Sequence, residues 1–138
     1  MEDAMKTEAR DAQSSPFTSD DASDSVLDVA QALERMEGDR ELLEELAHLF
    51  TDEWPKSASE IDAAFNAGDT TLLERFAHGL KGAAANVGAG RLSTAASEME
   101  KLARAGNLKT LPAQWEIVKE EAATLFEEFE RLYRKASR

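Results

Sequence analysis

The sequence contains no cysteine among its 138 residues. That absence excludes disulfides, thiolate metal sites and thiol nucleophiles together. Basic charge is also short: 16 lysines and arginines face 28 aspartates and glutamates, for a formal net charge of −12. A phosphate backbone needs a basic face, so nucleic acid is not an expected partner. No apolar run approaches the roughly 20 residues that a membrane-spanning helix requires. The first residues also lack the basic-then-apolar order of a secretory signal. Cytoplasmic residence and no membrane partner are the corresponding expectations. No glycine-rich loop follows a strand pattern, which leaves nucleotide binding unsupported. Histidine is scarce, with His48 and His78 alone. Any imidazole chemistry must use one of these two positions.

What remains is helical and acidic. Residues 1–25 carry seven acids against Lys6 and Arg10, with almost no large apolar residue besides Phe17. Such a stretch cannot bury enough surface to offset its ordering entropy. It reads as a disordered acidic tail or linker, and residues 26–138 as the domain. Within the domain, apolar residues recur at spacings of three and four. Val26, Val29, Ala30, Leu33 and Met36 mark a short first helix with Ser25 or Asp28 as its cap, and Gly38 to stop it. Asp39 then opens a helix with Leu42, Leu43, Leu46, Leu49, Phe50 and Trp54 in phase. The phase continues past Pro55 through Ala58, Ile61 and Phe65, which predicts one kinked helix rather than two. Gly68 and Asp69 stop that helix and cap the next. Gly88 and Gly90 mark a tight turn, followed by a helix with Leu92, Ala95, Ala96, Met99, Leu102 and Ala103. After Gly106-Asn107, Pro112 falls in the first turn of the last helix, where proline is tolerated. Its seam is Trp115, Val118, Ala122, Leu125, Phe129 and Leu132, widened by Phe126 and Tyr133. The fold class is therefore all-α: an antiparallel four-helix bundle with a short additional N-terminal helix.

The third of these helices carries the chemistry. At roughly 100° per residue, Leu72, Leu73, Phe76, Leu80, Ala83, Ala84 and Val87 are expected on its buried face. His78 is expected about 180° from the centre of that stripe, in solvent. Its neighbours on that surface are Glu74, Lys81, Gly82 and Ala85. Gly79 and Gly82 each cost an amphipathic helix roughly 0.5–1 kcal/mol relative to alanine. Two such costs beside an exposed imidazole point to a partner that needs the space.

The run Ala77-His78-Gly79-Leu80-Lys81-Gly82, followed by Gly88-Ala89 and Leu92, closely resembles the phosphoacceptor motif of histidine-containing phosphotransfer domains. The run from Ala32 through Gly38 to Leu43 is similar to the opening segment of the same domains. Ala103-Arg104-Ala105-Gly106-Asn107 resembles their usual helix end. The resemblance covers residues 26–138 in order and spacing. The family often has serine where this chain has Ala83.

This resemblance implies a phosphoryl carrier rather than an enzyme. His78 would take a phosphoryl group on Nε2 from an aspartyl phosphate of one receiver domain and pass it to another. Lys81 would stabilise phosphoryl charge, and Glu74, Gly82 and Ala85 would face the docking partner. Receiver domains, and a hybrid histidine kinase, are the implied partners of a monomer that holds no cofactor and no metal. Mg²⁺ and the other catalytic groups would come from the partner. Two other readings stay open in the sequence: a helical module that docks a receiver without accepting phosphate, and the phosphoacceptor domain of a chemotaxis-type histidine kinase. His48 is read as solvent decoration. Glu45-Leu46-Ala47-His48 fits half of a di-iron motif, but that site needs a second such pair, and Arg75 stands three residues before His78.

Overall fold

A computed structural model of the chain describes residues 25–136. Among the described residues there are five helices and no strand. Helix α1 spans Val29–Arg35, α2 Arg40–Ala67, α3 Thr70–Asn86, α4 Gly90–Arg104 and α5 Leu111–Ala136. The four long helices form the antiparallel bundle, with α1 leading into it. The acidic segment read as a tail lies outside the described residues, apart from Ser25.

Three aspartates start three helices in the same way. A carboxylate oxygen of Asp28, Asp39 and Asp69 accepts the backbone N–H of Gln31, Leu42 and Leu72, at 3.0, 2.9 and 3.0 Å. Each bond satisfies one of the orphan donors of a first turn, and Asp28 rather than Ser25 caps α1. Pro55 sits inside a continuous α2. It removes the donor to the carbonyl of Thr51, yet the apolar phase on both sides keeps the helix in one piece. Gly90 is not part of the turn, since it is the first residue of α4.

Gly88 alone makes the reversal between α3 and α4. Its φ is 79°, and a Cβ there would lie 2.2 Å from the carbonyl oxygen of Asp28. The absent side chain lets the segment before α1 close on this turn. The Asp28 N–H donates to the Gly88 carbonyl at 2.7 Å, and the Arg91 N–H to the Ser25 carbonyl at 2.8 Å.

Packing is uneven around the bundle. Helices α3 and α4 make the most extensive contact. Ala77, Ala84 and Ala96 are fully buried there, and small side chains let the two backbones approach. Helix α2 stands further off, across a layer of aromatic rings. Trp54 packs on Trp115, Phe126 and Phe76 with centroids 5.9, 5.8 and 6.3 Å apart. The Trp115 indole N–H donates to Asp62 at 3.0 Å.

The buried faces depart from the sequence expectation at several positions. In α3, Leu73, Ala77, Leu80 and Ala84 are buried, whereas Leu72 and Ala83 are exposed. In α2 the seam runs through Leu43 and Ala47, leaving Leu42 and Leu49 exposed. In α5 it closes on Tyr133, not Leu132. Adjacent apolar residues lie about 100° apart on a helix, so Leu42-Leu43 and Leu72-Leu73 leave the phase open until neighbours pack. Alanine on the buried face gives the pattern little weight, although it suits a close helix contact.

Candidate functional site

His78 projects from the middle of α3 toward α4, with its side chain 70% exposed. The surface there is more polar than the sequence pattern suggests. Glu100, one turn from the end of α4, reaches across and is nearly inaccessible to solvent, with a relative exposure of 5%. Its Oε2 lies 2.8 Å from His78 Nδ1, and its Oε1 accepts from Lys81 Nζ at 2.8 Å. Arg104 Nη2 donates to the same Oε2 at 2.8 Å, while Arg104 Nε donates to Glu74 at 2.8 Å. Glu74, His78 and Lys81 come from α3; Glu100 and Arg104 come from α4. The Ser93 hydroxyl, bonded to the Lys81 carbonyl at 3.0 Å, ties the helices together beside the cluster.

Three cationic or N–H donors on one carboxylate favour its charged form. The Lys81 hydrogen bond, followed by that of His78, holds the Glu100 carboxyl at about 2, well below its ordinary 4.5. Arg104 is pushed further above its ordinary value, first by its bond to Glu74 and then by the charges of Glu74 and Glu100.

An ionised carboxylate can only accept, so Nδ1 of His78 must carry the hydrogen in this contact. In the neutral imidazole the lone pair is then on Nε2. That nitrogen has no hydrogen-bond partner among the described residues. The cluster thus leaves one nitrogen of an exposed imidazole with an unpartnered lone pair and places a negative charge behind the other. This arrangement suits reversible attack on an electrophile delivered from outside.

Of the residues expected around His78, Lys81 and Glu74 are in the charged cluster. Gly82 is exposed, and a Cβ built on it meets no atom within 4 Å. Ala85 is half-buried, one turn beyond Lys81. Glu100 and Arg104 received no role from the sequence. A signal was present for Glu100: it stands within the Ala96-Met99-Ala103 stripe, and a glutamate on a buried face is rare unless paired. His48 is apart from the cluster, on α2, 3.5 Å from Glu44 and beside the Tyr133 ring. Among the described residues, no group of three or more His, Asp or Glu side chains is placed to hold a metal ion.

On the other flank of His78, an apolar groove of about 430 Å³ runs between α2 and α3. Leu49, Phe50, Trp54, Phe76, Gly79 and Ala83 line it. The exposed Leu49 and Ala83 therefore belong to one feature, whose lining includes Gly79, the residue after His78.

A family profile described as the Hpt domain matches residues 45–133, from within α2 through most of α5. Among solved structures, the crystal structure of histidine-containing phosphotransfer protein B (HptB) from Pseudomonas aeruginosa PAO1 is similar, with a TM-score of 0.74 and 28% sequence identity. The match covers 81% of this chain and 97% of that one. No curated protein sequence matches the chain.

Proposed function

The chain belongs to the Hpt domain family, and from that membership we propose that it carries phosphoryl groups in a phosphorelay on Nε2 of His78. The observation that supports this most is the Glu100 contact, which holds Nδ1 and leaves Nε2 as the unpartnered, solvent-facing nitrogen.

A neutral imidazole is a nucleophile near neutral pH, so attack needs no separate base. Nε2 donates its lone pair to the phosphorus of a receiver's aspartyl phosphate. The N–P bond forms, the P–O bond to the aspartate breaks, and the carboxylate leaves. Positive charge that develops on the ring is balanced by Glu100 through Nδ1–H. Transfer onward is the reverse sequence on a second receiver. The transition state is loose and anionic, so positioning and charge neutralisation do most of the catalysis. Lys81, half exposed one turn from His78, supplies positive charge beside the incoming phosphoryl group while holding Oε1 of Glu100. Glu100 already accepts from three donors that tie it to Lys81, His78 and Arg104, which supports leaving Mg²⁺ to the receiver. The chain then acts as substrate and carrier rather than as an enzyme.

The receiver domain would approach over Gly82 and Ala85, with its apolar contact in the groove that Gly79 helps to line. Open space above Gly82 supports this approach. Incubation with a phosphorylated receiver tests the assignment. Wild-type protein takes up acid-labile phosphate, and His78→Gln takes up none. Its stability should stay within about 0.5 kcal/mol of wild type, because Lys81 and Arg104 still satisfy Glu100. Label retained by a folded His78→Gln protein refutes the assignment. Receiver binding without phosphate on either protein identifies a docking module instead.

A further inference from the structure

Four charged or polar side chains form a continuous chain of contacts between two helices. Glu74 and His78 lie one turn apart on α3, and Glu100 and Arg104 one turn apart on α4. Contacts of 2.8 Å run from Glu74 to Arg104, from Arg104 to Glu100, and from Glu100 to His78. Lys81 holds the remaining oxygen of Glu100. Within this path Arg104 has a distinct place. Two of its nitrogens donate to two carboxylates, one on each helix, in the fixed planar geometry that a guanidinium has and a freely rotating ammonium lacks.

The demand on Glu100 explains why such a brace matters. Its carboxylate must offer Oε2 to Nδ1 of His78, but the stronger point charge of Lys81 sits on Oε1. With Lys81 as the only other partner, rotation of the carboxylate could bring both oxygens to the ammonium and release the imidazole. Arg104 opposes that rotation by bonding Oε2 itself, and Glu74 fixes Arg104 by its Nε. We propose that Arg104, anchored by Glu74, is a positioning residue that presents Oε2 of Glu100 to Nδ1 of His78 and thereby keeps Nε2 as the attacking nitrogen. The proposal rests on His78 being the phosphoryl carrier only for its kinetic consequence. Its structural content stands on the unphosphorylated protein.

Two measurements on the full chain test it. In Arg104→Gln, nitrogen NMR of the imidazole should show the Nδ1–H tautomer losing population to Nε2–H, with the fold unchanged by circular dichroism. Glu74→Gln should move the same signals less, and Arg104→Lys should restore them only in part. Single-turnover uptake from a phosphorylated receiver should slow about tenfold in Arg104→Gln. This is short of the roughly hundredfold that a misplacement of about 1 Å can cost, because Lys81 still retains Glu100. In a Glu100→Gln background, adding Arg104→Gln should change neither the spectrum nor the rate. Unaltered tautomer signals in Arg104→Gln overturn the proposal, as does an equal kinetic loss in the Glu100→Gln background. If the tautomer shifts but even wild type accepts no phosphate on His78, the brace stands and the carrier assignment falls.

Discussion

Gly82 separates what the fold requires from what a partner requires. It lies four residues after His78, inside α3, and its side-chain position is empty space. Alanine there removes unfolded-state freedom and meets nothing in the native state. Gly82→Ala should therefore stabilise the domain by about 0.5–1 kcal/mol. At roughly 3–6 °C per kcal/mol for a domain of this size, the melting midpoint should rise by a few degrees. Gly79, equally unobstructed, should respond alike. Glutamine has almost the helix propensity of alanine, so Gly82→Gln should also fold at least as well as wild type. Its side chain, however, leans toward the N-terminus, over the turn that carries the imidazole. It would stand where the receiver approaches in the proposed docking mode. Reacting atoms must come within about 3–3.5 Å, and a displacement of about 1 Å can cost a hundredfold. Phosphoryl uptake should accordingly fall by about that factor or more. Thermal melts by circular dichroism and single-turnover uptake from one phosphorylated receiver measure both effects. A Gly82→Gln protein that melts well below wild type would show that the glycine serves packing. A stable variant with normal uptake would show that the partner does not pass over Gly82.

Two further outcomes follow from the charged cluster and from the α3–α4 turn. Glu100 has a folded-state pKa of about 2 against an ordinary 4.5, so the unfolded chain binds more protons between those values and stability rises with pH there. The Glu100 contribution is fully present above about pH 4.5 and is lost as the pH falls toward about 2. Urea midpoints of wild type and Glu100→Gln should converge over that window, and a gap that does not change with pH would contradict the assigned charge. Gly88→Ala combines a left-handed φ of 79° with a Cβ 2.2 Å from the Asp28 carbonyl oxygen. It should cost about 2 kcal/mol or more and raise amide exchange in α1 first; a loss within about 0.5 kcal/mol would mean that the segment before α1 is not held by this turn.

Much of this protein was legible in one dimension. Helix number, the Asp39 and Asp69 caps, the uninterrupted phase across Pro55 and the exposure of His78 all rest on interactions within a few residues of each other. For such local features, spacing and residue type are sufficient information. The resemblance around Ala77 to Gly82 named the chemistry for the same reason, since the motif is a single helical turn and its flanks.

Tertiary structure decided the rest. Which of two adjacent leucines is buried, at Leu42-Leu43 and Leu72-Leu73, depends on how neighbouring helices rotate about their axes, and the sequence pattern permits both phases. The groove beside His78 exists because the Trp54, Phe76 and Phe126 rings hold α2 away from the alanine-lined contact of α3 with α4. Above all, the partner of His78 comes from 22 residues further along the chain. Glu100 belongs to the apolar stripe of its own helix, and only the close packing of α4 on α3 turns that misfit into the carboxylate that meets Nδ1 of His78. Side-chain chemistry is written residue by residue, but an imidazole's tautomer is set by whatever the fold brings within hydrogen-bond reach.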